Sequence, residues 1–354
     1  MSIDDVMPSP SSKAFHYKRF RLYWFAIVST TFAANIMSVS VGWQIYDITR
    51  DPLFLGYVGL AQFLPSLLLV LVTGLAADTF PRRAIMAVCL GVEVVCASIL
   101  FMTAQAHVVE VWPIYVALVL LGFARAFLGP ASASLAPNLV PPEALSNAVT
   151  LNATAWQSAN IIAPTIGGIL YGIAATAAYG TAACLVGVAM VLVLLIPKPP
   201  KNSRSAATSA DTLLAGFRYI WKEKVVLGAI SLDLFAVLLG GAVALLPVYA
   251  RDILDVGPWG LGLLRSAPGL GAVIVAILLH RFPVKDHAGV VLFIFVAAFG
   301  FFTVVFGLST TVWISIIALM LMGACDMVSV VLRETLMQLW TPDEVRGRVS
   351  AVNS

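Results

Sequence analysis

Charge is what this chain has least of. Only 11% of its 354 residues are Asp, Glu, Lys or Arg, while 60% are hydrophobic. A soluble domain carries about 25% charged residues. Mean hydropathy is +0.96, and no single globular core could hide that much apolar surface, so lipid is the expected solvent. Cysteine and histidine are equally scarce, at four each. Cys89, Cys96, Cys184 and Cys325 lie inside apolar runs with no metal-ligand spacing. His16, His107 and His287 are scattered outside those runs, and His280 falls at the very end of one. No metal site, cofactor or nucleophile is expected from them. A phosphate-binding glycine loop followed by Lys is also missing, which argues against an ATP-driven pump and leaves no enzyme signature.

Long apolar runs are abundant instead. Runs of about 20 residues, enough to cross a bilayer, occur near 22–44, 54–77, 84–106, 112–135, 147–171 and 176–196. They continue near 225–249, 258–280, 288–307 and 311–333, making ten spans in an all-α polytopic membrane protein. The few charges are arranged by side. Lys13, Lys18, Arg19 and Arg21 precede the first run in a lead-in too polar for a cleavable signal. Placing that segment in the cytoplasm puts nearly all loop Lys and Arg on the same side and leaves only Arg50 and Arg251 opposite. This is the positive-inside bias, and it sets the N-terminus inside. Spread over short loops rather than gathered on one face, these charges exclude a nucleic-acid partner.

A Pro, Ser and Lys-rich stretch after residue 196 separates two halves. The expected organisation is a cytoplasmic N-terminal segment (1–21) and a six-helix bundle (22–196). A cytoplasmic linker with a short amphipathic helix follows (197–224), then a C-terminal bundle (225–354). The halves repeat. Pro141 to Asn152 aligns with Pro342 to Asn353 without a gap, and at that shift Gly122 meets Gly323 and Arg125 meets Asp326. A nearly equal shift sets Tyr46 on Tyr249, Leu60 on Leu263 and Pro65 on Pro268. Parallel repeats of this kind are a transporter arrangement.

Between the second and third runs lies Gly74-Leu75-Ala76-Ala77-Asp78-Thr79-Phe80-Pro81-Arg82-Arg83. It resembles the G-x-L-x-D-x-x-G-R-R loop of the major facilitator superfamily, with Pro81 in place of the second glycine. Arg125, within Leu121 to Gly129, resembles that superfamily's helix-4 arginine motif. Ala163-Pro164-Thr165-Ile166-Gly167-Gly168 resembles its helix-5 antiporter motif G-P-x-x-G-G, with Ala163 for the first glycine. Gly347 to Asn353 is similar to the drug and siderophore exporters that include the enterobactin exporter. The resemblance covers nearly the whole chain and implies a two-bundle fold. The first half runs on through two further spans after Asn152, whereas the second stops one residue after Asn353. Helices 11 and 12 are therefore expected to be missing from this sequence.

An ionisable side chain at membrane depth costs about 2.5–3.5 kcal/mol on insertion scales, so each one calls for an explanation. The resemblance implies that the first helix of each three-helix unit lines a central cavity. Asn35, Arg125, Asp233 and Asp326 fall one on each such helix. Arg125 cannot deprotonate, so it either tunes a carboxylate in an anion or proton-relay site or makes a structural ion pair. Asp326 shares a face with Met322, Ser329 and Arg333. It is read either as a protonation site or as a bridge to Arg125 that latches the halves; Asp233 is the other carboxylate that could carry a proton. Glu93 is expected to be a packing partner, and Arg265 to snorkel toward the interface. By resemblance Gly74, Asp78, Arg82 and Arg83 form a gating loop, in which Asp78 caps a helix of the other half. Pro164, Gly167 and Gly168 form either a packing face or a flexing seam.

These readings converge on a secondary transporter of a bacterial-type cytoplasmic membrane, working as a monomer. It is expected to export an amphipathic drug-like compound or siderophore in exchange for protons. A uniporter or flippase for another solute, such as a lysophospholipid or sugar, remains open. So does a non-transporting membrane scaffold or a fragment.

Overall fold

The computed structural model describes residues 13–197, 241–281 and 288–340, with isolated positions at 221, 223, 227–228 and 231–232. Among the described residues nine long helices fall on nine of the ten apolar runs. They are α1 (Lys18–Thr49), α2 (Pro52–Thr79), α3 (Arg82–Gln105), α4 (Trp112–Leu135), α5 (Pro142–Ile173) and α6 (Ala175–Leu195), followed by α8 (Gly257–Arg281), α9 (Ala288–Leu308) and α10 (Val312–Trp340). About half of the seventh run, including residues 233–240, lies outside the described residues. Its end is a short helix, α7 (Leu246–Val248), which runs into a π-helical turn at Tyr249–Ile253. The linker helix, Asp233 and the second-half motif Pro342 to Asn353 also lie outside them.

Eight of the nine helices are long and apolar enough to cross a membrane. The exception is α5, whose 32 residues exceed the length required. It is too polar because its side chains serve neighbours and its own backbone. Asn147 Oδ1 accepts from the Ala14 amide at 2.9 Å, and the Thr150 and Thr154 hydroxyls donate to their own helix one turn back. Ten spans therefore reduce to eight by hydropathy among the described residues: one expected run is too polar, and another is described only in part.

Local chemistry sets the helix ends. Asp51 caps α2 by accepting from the Leu53 amide at 2.9 Å, with Pro52 at the first helical position. Arg50, at φ 54°, makes the tight reversal between α1 and α2. Pro81 stops α2 and leads into α3. At the far end of α3, His107 takes the left-handed position (φ 49°) that usually falls to glycine, and the Val108 amide closes onto the Thr103 carbonyl at 3.0 Å.

The chain divides into two compact units. The first comprises Met1–Val41, Tyr57–Ala163 and Ile173–Ala206; the second comprises Gly42–Gly56, Pro164–Gly172 and Ala207–Ser354. In the first, α3 packs against both α4 and α6. Its buried face, Met86, Cys89, Leu90, Glu93, Cys96, Ala97 and Leu100, follows helical spacing and has one charged member. In the second, α10 packs against α8 and α9. There Leu292, Val328 and Leu332 form a small apolar core.

The repeat read from sequence reappears in the packing. In the first unit a Cβ added to Gly122 would meet the Gln62 carbonyl at 2.7 Å and Pro65 Cγ at 3.0 Å. In the second, a Cβ added to Gly323 would collide with the Pro268 carbonyl. The same two pairs, Gly122 with Gly323 and Pro65 with Pro268, align along the chain. In each unit the backbone of one helix rests on the proline turn of another, and only glycine permits the approach.

Gly122→Ala is accordingly expected to lower stability by about 1–3 kcal/mol through overpacking. Gly129, on the same helix, has open space where a Cβ would stand, with nothing within 4 Å. Gly129→Ala should therefore gain about 0.5–1 kcal/mol from helix propensity. Thermal unfolding in detergent should move in opposite directions for the two variants.

Candidate functional site

Midway along α3, in the face that packs on α4 and α6, sits Glu93. Its side chain is 1% exposed, and Arg125 Nε stands 3.8 Å from its Oε1. That gap is an ion pair without a hydrogen bond, and among the described residues neither carboxylate oxygen accepts one. Arg125 projects from the middle of α4. Its Nη1 donates to Gln62 Oε1 on α2 at 3.2 Å, and its side chain keeps 31% exposure. One end of the pair is thus sealed among helices and the other is accessible. Three helices meet at this point because Gly122, one turn before Arg125, lets α4 approach the α2 backbone at Gln62.

Such a site is metastable in charge. A carboxylate taken out of water loses its hydration, and a guanidinium just beyond bonding distance returns only part of that. Removing the charge by protonation would cost the carboxyl no hydrogen bond, because it has none to lose. The sequence suggests a packing role for Glu93 on a peripheral helix, and its repeat sets Arg125 against Asp326. The described partners of Arg125 are instead Glu93 and Gln62. The signal available in the sequence is a lone acid at the centre of an otherwise apolar helical face.

The other sequence-derived candidates are distributed as follows. Asn35, on α1, donates to Asn160 Oδ1 on α5 at 3.0 Å and to the Thr31 carbonyl at 3.0 Å, so it ties α1 to α5. Asp326 is partly buried on α10, where Met322, Ser329 and Arg333 on the same face are all buried. Arg265 is partly buried within α8. Gly74 and Asp78 lie in the last turns of α2, and Arg82 and Arg83 open α3. Arg82 Nη1 donates to the Ser134 carbonyl at 2.8 Å, and Arg83 donates to the carbonyls of Val193, at 3.2 Å, and Leu194. The two arginines therefore cap the C-terminal ends of α4 and α6, where exposed carbonyls carry the negative end of the helix dipole.

Pro164, Gly167 and Gly168 are buried on α5. A Cβ added to Gly168 would collide with the Pro258 carbonyl, and one added to Gly262 would meet the Pro164 carbonyl at 2.5 Å. The Thr165 and Ser266 hydroxyls bond at 2.9 Å across the same contact. The helix-5 motif is thus one wall of a close seam between α5 and α8.

A second polar cluster joins the end of α1 to the Tyr249–Ile253 turn, within the second unit. Asp47 pairs with Arg251, and Arg50 lies 3.6 Å from Asp252. The Tyr46 hydroxyl donates to Asp252, and the Arg251 guanidinium lies over Trp43, 5.3 Å from the ring centroid. In the sequence Arg50 and Arg251 stand out only as the two basic residues on the minority side. Their partners come from opposite halves of the chain, which no local pattern reveals. An apolar groove of about 480 Å³ also runs between α2 and α4, lined by Tyr57, Leu60, Leu64, Tyr115, Val119 and Phe123 among others.

The chain matches the family described as transmembrane secretion effector over residues 10–354. It is 25% identical over 344 residues to the enterobactin exporter EntS of Shigella boydii serotype 4 (strain Sb227), covering 94% of this chain and 80% of that protein. The EntS protein of Escherichia coli O81 (strain ED1a) is 26% identical over the same coverage. Among solved structures, a bacterial homologue of the human lysosomal transporter Spinster superposes with TM-score 0.67 at 15% identity, covering 94% of this chain and 78% of that one. A bacterial homologue of the iron transporter ferroportin gives TM-score 0.66 at 15% identity, covering 95% and 87%. At these identities the structures establish the shared fold.

The ion pair can be tested by itself. Arg125→Leu strands a buried carboxylate and should lower stability by about 3–5 kcal/mol at neutral pH. Glu93→Leu combined with Arg125→Leu removes both charges and should restore most of the loss. The single-variant deficit should also shrink on acidification, since a protonated carboxyl needs no counterion. Thermal unfolding of the three proteins across pH checks each expectation.

Proposed function

We propose that this chain, which belongs to the transmembrane secretion effector family of the major facilitator superfamily and so is a membrane transporter rather than an enzyme, exports an amphipathic small molecule in exchange for protons. The observation that carries the proton coupling is the Glu93–Arg125 pair. It holds a removable charge at membrane depth, with one partner sealed and the other accessible. The relatives are named enterobactin exporters, which supports a siderophore or similar drug-like compound as the cargo. The apolar groove between α2 and α4 suits the hydrophobic part of such a molecule.

The Lys and Arg bias supports a cytoplasmic N-terminus in a bacterial inner membrane. On that orientation the Asp78, Arg82 and Arg83 loop is cytoplasmic and acts in gating, while the Asp47, Arg50, Arg251 and Asp252 cluster closes the outer side. Exposed ion pairs are worth about 0–1 kcal/mol each, so such a clasp can hold one state and still open every cycle. Transport then proceeds by alternating access. The halves 22–196 and 225–354 rock about seams of small residues such as Pro164, Gly168 and Gly262, and Asn35, Arg125, Asp233 and Asp326 face the path. One proton crossing 100 mV supplies about 2.3 kcal/mol, so one or two suffice to drive useful accumulation.

The test is transport of enterobactin by the purified protein in liposomes. Accumulation should follow an imposed pH gradient and collapse when a protonophore dissipates it. Transport that ignores the gradient would point to a uniporter or flippase instead.

A further inference from the structure

We propose that Glu93 is the proton-binding carboxyl of the exchange, and that Arg125 is the group through which its charge state is felt along the transport path. The inference rests on the proton-coupled reading above and deepens it, assigning to a buried residue of α3 a role that the sequence favoured for Asp233 or Asp326.

Three observations carry it. Glu93 is fully buried yet accepts no hydrogen bond among the described residues, so nothing but Arg125 holds its charged form. Arg125 is near enough to feel that charge, at 3.8 Å, yet keeps a third of its side chain accessible and a separate anchor on Gln62. The surroundings hold no competing base among the described residues. On α3 the flanking titratable groups are the Cys89 and Cys96 thiols, both buried. From α4 only Arg125 faces Glu93, and α2 contributes the neutral Gln62. α6 runs antiparallel along α3, with Gly91 beside Met190 and Gly180 beside Phe101, which brings apolar Val186 and Ala189 level with Glu93. Tyr179 of α6 is level with Phe101, away from the carboxyl, and Cys184 is exposed.

The step is simple. A proton from water bonds to a carboxylate oxygen of Glu93, the pair loses its attraction, and Arg125 stays on Gln62 with its guanidinium free to turn toward the accessible side. Return of that proton to water on the opposite side restores the pair. No other bond changes. An arginine cannot carry the proton itself, which leaves the carboxyl as the titrating partner.

Glu93→Gln mimics the protonated group and cannot titrate. In liposomes with enterobactin as probe it is expected to abolish gradient-driven accumulation. Infrared difference spectra on acidification should show a protonated-carboxyl band in the wild type that is missing from Glu93→Gln. Glu93→Asp keeps a carboxyl and should keep gradient-driven transport with a shifted pH midpoint. It also serves if the Gln variant fails to fold, because an Asp variant with the wild-type midpoint overturns the proposal. Equal gradient-driven transport by wild type and Glu93→Gln, or a band that survives the substitution, overturns it while proton coupling stands. A wild type indifferent to the gradient overturns the proton-coupled reading first, and this proposal with it.

Discussion

A carboxylate and a guanidinium held just out of hydrogen-bonding range, deep between apolar helices, set the terms for the rest of this protein. In hydrocarbon every backbone amide must bond within its own segment, which is why the described chain is helical almost throughout. The side chains then have little freedom to be polar. Where Glu93 and Arg125 break that rule, three helices must converge to contain them. The convergence depends on Gly122, since any larger residue would lift α4 off the α2 backbone and carry Arg125 away from Gln62.

The same economy of contacts appears wherever the helices meet. α5 meets α8 through Pro164, Gly168 and Gly262, and α8 meets α10 through Gly323 on the Pro268 turn. Without a hydrophobic drive between helices in lipid, close backbone packing is the main attraction left. The polar links that cross such seams, Thr165 with Ser266 and Asn35 with Asn160, are single hydrogen bonds. Stiff helices with lightly bonded seams suit a transporter that must exchange one packing for another.

Position along the helix separates two kinds of charge here. The cluster of Asp47, Arg50, Arg251 and Asp252 lies at helix ends with side chains 22–57% exposed, so water and salt share its energy. Glu93 and Arg125 lie at mid-helix, where the carboxylate is sealed from water and Arg125 is its one charged partner among the described residues. The first cluster is therefore weak, plural and replaceable, and the second is single and consequential. Arg82 and Arg83 belong to neither kind, being spent on the carbonyl ends of α4 and α6.

Sequence alone determined the solvent, the helical class, the places of the long helices and the internal repeat. Each of these follows from properties that are local or periodic along the chain. Apolar length decides a span, Pro81 and Asp51 decide helix ends, and nearly equal offsets between matched residues reveal the repeat. It also picked out Arg125, because a lone arginine in an apolar run is conspicuous by itself. Only the tertiary structure decided what Arg125 faces. Residues 93 and 125, like 47 and 251, become partners through the angles at which helices pack, and those angles depend on where glycine and proline let backbones touch. That geometry set Glu93 beside Arg125, a pairing the sequence did not suggest, and made α5 a helix whose polar face serves its neighbours rather than lipid.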